Sequence, residues 1–181
     1  MDATRYRRDT CSVSFLIRRA EPDELDAVGE LTVQAYQSDG LVPLDSEYDA
    51  QLRDASSRFV GAELLVAAEA GRLLGTVTFA VPGSPYAELS RPGEAEFRML
   101  AVDPAARRRG VARELVRACL GRASARGDRA MVLSTATDMR PAHRLYTSLG
   151  FYRSPERDWS PVPGVDLLAF ELPLPSTLRT G

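Results

Sequence analysis

The stretch Met99-Leu100-Ala101-Val102-Asp103-Pro104-Ala105-Ala106-Arg107-Arg108-Arg109-Gly110-Val111-Ala112 reads as a strand that runs through a loop into the first turn of a helix. Met99 to Val102 supply the apolar strand end, Asp103-Pro104 closes it, and Gly110 opens the helix. Unpaired amides of a first helical turn converge, and the helix dipole adds partial positive charge, so such a junction holds an anion. Gly110 and the small Ala112 let a phosphate approach the backbone, and Arg107, Arg108 and Arg109 add charge-assisted donors. The plain structural alternative is a solvated arginine cluster ahead of an ordinary helix.

Working outward, Ser14 to Arg19 reads as a short strand. Glu21-Pro22-Asp23 then caps a helix running to about Gln37, with Leu25, Val28, Leu31, Val33 and Ala35 as its apolar stripe. A second helix is expected from about Ser46 to Phe59. Leu64 to Ala68 and Leu73 to Val81 read as antiparallel strands joined by a hairpin turn at Gly71-Arg72. Pro82 to Gly93 is a long proline-rich loop. Ala95 to Val102 is the strand that enters the quoted loop, and the helix beyond it runs from Gly110 to about Arg126, ended by Gly127. Met131 to Leu133 is a buried strand, residues 140–149 a short helix ended by Gly150, and strands begin at Phe151 and span Val165 to Leu172. The order predicts an α/β fold, a mixed sheet with helices on its faces.

Composition narrows the chemistry. The chain has 181 residues, 44% hydrophobic and 27% charged, which fits one globular domain with no run long enough to span a bilayer. All 23 basic residues are arginine, and against 25 acidic residues they leave a net charge of −2, which does not advertise nucleic-acid or membrane binding. Without lysine there is no Walker A lysine, no kinase strand lysine and no pyridoxal Schiff base. No G-x-G dinucleotide fingerprint and no G-x-S-x-G nucleophile elbow occurs. His143, Cys11 and Cys119 cannot make a zinc cluster or a disulfide framework, so a metal-free, disulfide-free chain is expected. The opening MDATRYRRDTCSVSFLI lacks a secretory pattern, which makes the cytoplasm the expected location.

The segment Arg107-Arg108-Arg109-Gly110-Val111-Ala112, directly after Leu-Ala-Val-Asp-Pro, resembles the Q/R-x-x-G-x-G/A cofactor motif of the GCN5-related N-acetyltransferase (GNAT) family. About thirty residues on, Ala142-His143-Arg144-Leu145-Tyr146-Thr147-Ser148-Leu149-Gly150-Phe151 is similar to the family's A-x-x-L-Y-x-x-L-G-F. The resemblance covers about residues 95–152. It implies a mostly antiparallel sheet splayed after the fourth strand, and acetyl-CoA as co-substrate. Leu100 and Val102 then bond the pantetheine arm through their backbones, and Arg107, Arg108, Arg109, Gly110, Val111 and Ala112 cradle the pyrophosphate. The amide of Leu100 or Ala101 faces the acetyl carbonyl, where a donor stabilises developing oxyanion charge.

Tyr146 matches the family's usual acid, which protonates the departing thiolate. Its spacing from Ala142 and Leu149 equally suits a core aromatic. Glu96 is the candidate base, since the family often carries a carboxylate on this strand. In a regular strand it shares a face with Arg98 and Leu100, and a surface ion pair with Arg98 is the alternative. Met139 stands where many relatives carry a cofactor-contacting Asn. His143 is kept out of the catalytic set. Glu94, Asp138 and Trp159 are further candidates near the acceptor, with no geometry attached.

The expected activity is transfer of an acetyl group to a primary amine, small molecule or peptide, by direct attack in a ternary complex. A non-catalytic acyl-CoA sensor, or transfer of a longer acyl group, stays open. The expected layout is a flexible segment over 1–13, the acetyltransferase domain over 14–172 and a tail over 173–181. A homodimer through the C-terminal region is compatible with the resemblance.

Overall fold

A computed structural model describes residues 14–40 and 47–175. The expected flexible segment over 1–13, the start of the second helix at Ser46 and the end of the tail lie outside those residues. The chain runs β1 (Leu16–Arg19), a 3-10 turn at Pro22–Glu24, α1 (Leu25–Ser38), α2 (Glu47–Arg53), α3 (Ala55–Gly61), β2 (Glu63–Glu69), β3 (Arg72–Ala80) and β4 (Glu94–Val102). It continues through α4 (Val111–Arg126), β5 (Ala130–Ala136), α5 (Arg140–Ser148), β6 (Tyr152–Arg153), β7 (Trp159–Val162) and β8 (Val165–Pro173).

Local chemistry explains where these elements depart from the periodicity reading. The expected helix over 46–59 is two helices, because the Asp54 carboxylate accepts the Ser57 amide at 2.9 Å and starts α3 afresh. The β2–β3 turn is Ala70-Gly71, one residue earlier than expected. Both have left-handed φ, 47° and 80°, and Glu69 pairs with Arg72. β7 has no counterpart among the expected elements. It forms because Gly164, at φ 85°, turns the chain so that Val162 pairs with Val165.

The sheet order is β1-β2-β3-β4-β5-β8-β6, with β7 on β8. Every pairing is antiparallel except β4 with β5. That parallel pairing stops at Glu96 and Val132, while β5 stays on β8 to Ala136. The sheet therefore opens between β4 and β5 along Phe97 to Val102. One core joins the sheet to α4 and α5 through Phe97, Leu115, Val116, Met131, Tyr146, Phe151 and Phe170. The other face carries α1 to α3, with Val28, Ala55, Leu64 and Val66 buried between them. Gly75 lets α4 close on β3: a Cβ there would lie 2.8 Å from the Ala101 carbonyl and 2.9 Å from Val111.

The closed end of the sheet is held by charge. Glu94 takes two hydrogen bonds from Arg157, both at 2.9 Å, one from Arg129 at 2.8 Å and one from the Arg91 amide at 2.9 Å. Burial pushes its carboxyl up, but these donors prevail and hold its pKa at about 2. A depressed folded pKa means that Glu94 stabilises the fold fully above the ordinary carboxylate range and loses that contribution as pH falls toward 2. Arg157→Met removes two of the four hydrogen bonds to that buried carboxylate, leaving only Arg129 and the Arg91 amide, and is expected to cost about 3 kcal/mol, read from the urea midpoint at constant m-value.

Candidate active site

The bulge in β4 organises the site. Thr78 pairs with Arg98 and Thr76 with Ala101, so Met99 and Leu100 together oppose the single Val77, and Met99 takes φ 49°. The extra residue reverses the side-chain alternation. Glu96, Arg98, Met99 and Ala101 then face α1 and α2, whereas Leu100 packs into the α4–α5 core with Phe97. The expected common face for Glu96, Arg98 and Leu100 is therefore corrected.

Past the bulge the ladder decides which main-chain groups are free. The Asp103 amide donates to the Leu74 carbonyl at 2.9 Å, so antiparallel alternation points Ala101 at Thr76 and turns Leu100 and Val102 toward the gap beside β5. Of the two amides considered for the acetyl carbonyl, Leu100's is the one aimed at the opening. Ala101 is committed to β3 by its backbone and lines the opening with its methyl group. The cleft there has a volume of about 440 Å³, and its walls include Tyr36, Leu100, Val102, Ala112, Met139 and Tyr146.

The loop after β4 is shaped by Arg108 and Gly110, both left-handed, at φ 63° and 85°. Gly110 sits at the N-terminus of α4, no side chain caps the first turn, and its first internal bond is from the Glu114 amide to the Gly110 carbonyl. The preceding amides are open to an anion. The arginines divide. Arg107 bonds Asp39 at 2.8 Å and Ser38 at 2.7 Å, and Arg109 bonds Glu69 at 2.7 Å, so these two guanidinium groups tie the loop to α1 and β2. Arg108 is exposed and bonds no other described residue. Val111 is buried in the core, so only its backbone faces the loop.

Tyr146 reaches the cleft from α5, packed against Phe97, Phe151 and Phe170 with ring centroids 5.7–6.0 Å away. Burial pushes its phenol up, so it stays protonated. Tyr146 is thus a core aromatic whose ring also borders the cleft. Glu96 is fully buried, not a surface residue, and Arg98 pairs with Glu88 at 2.7 Å. One Glu96 oxygen accepts the consecutive amides of Glu88, Leu89 and Ser90 at 2.9, 2.8 and 3.0 Å, and the other has no partner. Burial raises the carboxyl, opposed by those amides and by Arg98.

The other candidates divide. Glu94 belongs to the ion-pair network at the closed end of β4. Asp138 and Met139 line the cleft, and the Met139 sulfur accepts from the Thr135 hydroxyl at 3.3 Å. Trp159 pairs with Leu167 in the β7–β8 hairpin, with its indole nitrogen buried and unpartnered. His143 bonds the Ala136 carbonyl at 3.0 Å and rests on Phe170, which ties α5 to the end of β5. Sequence reasoning missed Ala35, Tyr36 and Asp39, because nothing in the periodicity of α1 says which turn meets the opening. Among the described residues no group of three or more His, Cys, Asp or Glu could hold a metal, and no helix is long and apolar enough to cross a membrane.

An opened parallel strand pair facing a helix N-terminus with uncapped amides is a site for an extended ligand that carries phosphate. The model of the acetyltransferase (GNAT) family matches residues 25–151, and the chain belongs to that family. An uncharacterized protein of Mycobacterium leprae is 32% identical over 158 residues, 84% of this chain, and the chain spans 39% of that relative's length. Among solved structures, the ribosomal-protein-S18-alanine N-acetyltransferase of Escherichia coli superposes with a TM-score of 0.68 at 22% identity over 92% of this chain and 98% of its own. A putative acetyltransferase of Salmonella typhimurium, yncA, solved with acetyl-CoA, gives 0.65 at 24% identity over 90% and 95%. The PaiA N-acetyltransferase of Thermoplasma acidophilum, solved with coenzyme A, gives 0.70 at 15% identity over 89% and 99%. At these identities the structures show a shared fold, and acetyl-CoA is the co-substrate of the family.

Proposed function

We propose that the protein acetylates a primary amine by direct attack on acetyl-CoA in a ternary complex. The observation that supports this most is the opening of the sheet at Glu96 and Val132, which leaves the backbone of Leu100 and Val102 unpaired opposite Tyr146. The residues fit the co-substrate. An open strand edge suits an extended pantetheine arm, which adds to the sheet like a short strand. The amides around Gly110 to Ala112 suit a diphosphate, and Arg108 is free to join them.

Acetyl-CoA supplies a thioester carbonyl as electrophile and a thiolate as leaving group. The Leu100 amide donates to the carbonyl oxygen, where negative charge grows as the amine attacks. Glu96 accepts the amine proton on its unpartnered oxygen, through a bridging water because the carboxylate is sealed beneath the 88–90 turn. Tyr146 gives its phenolic proton to the sulfur as the carbon–sulfur bond breaks. The acceptor belongs to the side of β4 that carries Glu96 and Arg98, beneath the 82–93 loop.

Thermal unfolding with acetyl-CoA, coenzyme A and ATP tests the co-substrate half of this reading. Acetyl-CoA and coenzyme A at 100 times their Kd are expected to add about 2.7 kcal/mol of stability, and ATP much less. Thiol release with a panel of primary amines tests the rest. Tight cofactor binding with no release on any amine favours a sensor instead.

A further inference from the structure

Tyr36, in the last turn of α1, borders the same cleft as Leu100 and Tyr146 but has no part in the chemistry described so far. Its ring packs against the two small clusters that include Met99 and Ala101, the side chains that the bulge turns toward α1, and Tyr48 meets it edge-on at 6.3 Å. The bulge that turns the Leu100 backbone toward the gap therefore also shapes the packing around the Tyr36 ring, which lines the same cleft. Asp39 and Arg107 on the same wall are bonded to each other, whereas neither the Tyr36 nor the Tyr146 hydroxyl bonds another described residue. The two phenols enter from opposite faces of the sheet. Tyr146 comes from the α4–α5 side, and Tyr36 from the side that carries Glu96 and Arg98.

Direct attack demands three alignments: a donor at the carbonyl oxygen, an acid at the sulfur, and a nitrogen lone pair directed at the carbonyl carbon. Leu100 and Tyr146 serve the first two. We propose that the Tyr36 hydroxyl oxygen accepts a hydrogen bond from the attacking amine and so directs its lone pair at the thioester carbon, a role that rests on the amine-transfer reading above. The nitrogen forms the new C–N bond, the C–S bond breaks, the amine proton goes to Glu96 and the sulfur takes the proton of Tyr146. Tyr36 keeps its own proton throughout. Its burial supports this, because the phenol is pushed well above its ordinary range and does not ionise.

Tyr36→Phe keeps the ring packing and removes only the hydroxyl. With acetyl-CoA and a panel of an Ala-Gly-Gly peptide, spermidine and tyramine, this variant is expected to lower kcat/KM for the amine by about 10- to 100-fold. The ratio of amine transfer to amine-free acetyl-CoA hydrolysis falls with it, because the lost contact is to the nucleophile. Tyr146→Phe instead lowers both rates together. Tyr48→Phe, which touches the same aromatic pair outside the cleft lining, controls for packing and is expected to stay within about twofold of the parent, as peripheral contacts do. Amine transfer by Tyr36→Phe within twofold of the parent overturns the proposal. An equal fall in transfer and hydrolysis also overturns it, by assigning Tyr36 to the thioester. If the parent binds acetyl-CoA but turns over no amine of the panel, the amine-transfer reading fails first and the role of Tyr36 falls with it.

Discussion

Tyr146→Phe is expected to lower kcat by about 10²- to 10⁴-fold while leaving acetyl-CoA affinity nearly unchanged. The substitution keeps the ring against Phe97, Phe151 and Phe170, so the core loses no volume. What disappears is the one proton donor on the α5 wall of the cleft. A thiolate released without a proton is a poor leaving group against an amine, and the loss belongs to the transition state, not to binding. Steady-state kinetics beside a thermal titration separate the two. A fall in affinity with unchanged kcat would show that Tyr146 serves only as a wall of the site.

Glu96→Gln is expected to cost a similar factor, about 10²- to 10⁴-fold in kcat, and to abolish the acidic limb of the pH–rate profile. Glutamine keeps one carbonyl oxygen for the amides of residues 88–90, so the loop stays held while the proton acceptor is lost. Because burial raises the Glu96 carboxyl, activity is expected to climb through a pH above the ordinary glutamate range as the group ionises. The stability effect has the opposite sign to that of Glu94. A raised folded pKa means that the folded protein keeps the proton longer than the unfolded chain, so this group's contribution declines as pH rises between the two values. A variant that retains the parent profile would remove Glu96 from the reaction and leave it as the anchor of the 82–93 loop.

The surroundings of Glu96 show how far a strand pattern can be read. Even spacing from Arg98 and Leu100 predicted a shared face, and the inserted residue at Met99 broke it. A bulge leaves no mark in hydrophobic alternation when both faces of the strand are buried, as they are here between α1 and α4. The arginines followed the same pattern. Three consecutive guanidinium groups ahead of a helix read as one anion cradle, but Arg107 and Arg109 found carboxylates on α1 and β2, distant in sequence. The backbone of the loop and the unpaired Arg108 keep the features on which the anion reading rested.

The residues that determine their surroundings locally were legible in the chain. Gly110 and the residues about it make a strand–loop–helix junction whatever else folds around them, and Tyr146 sits at a fixed helical distance from Leu149 and the terminating Gly150. Family membership followed from those two motifs, since each carries its own geometry. Tertiary structure decided which groups meet. It set where β4 parts from β5, which amide faces the gap, that Glu94 is an ion-pair anchor and Glu96 a sealed carboxylate, and that Tyr36 reaches the cleft. The physical reason is range. Caps, turns and helix dipoles act within a few residues, whereas the opening of the sheet balances packing on both of its faces, between segments tens of residues apart.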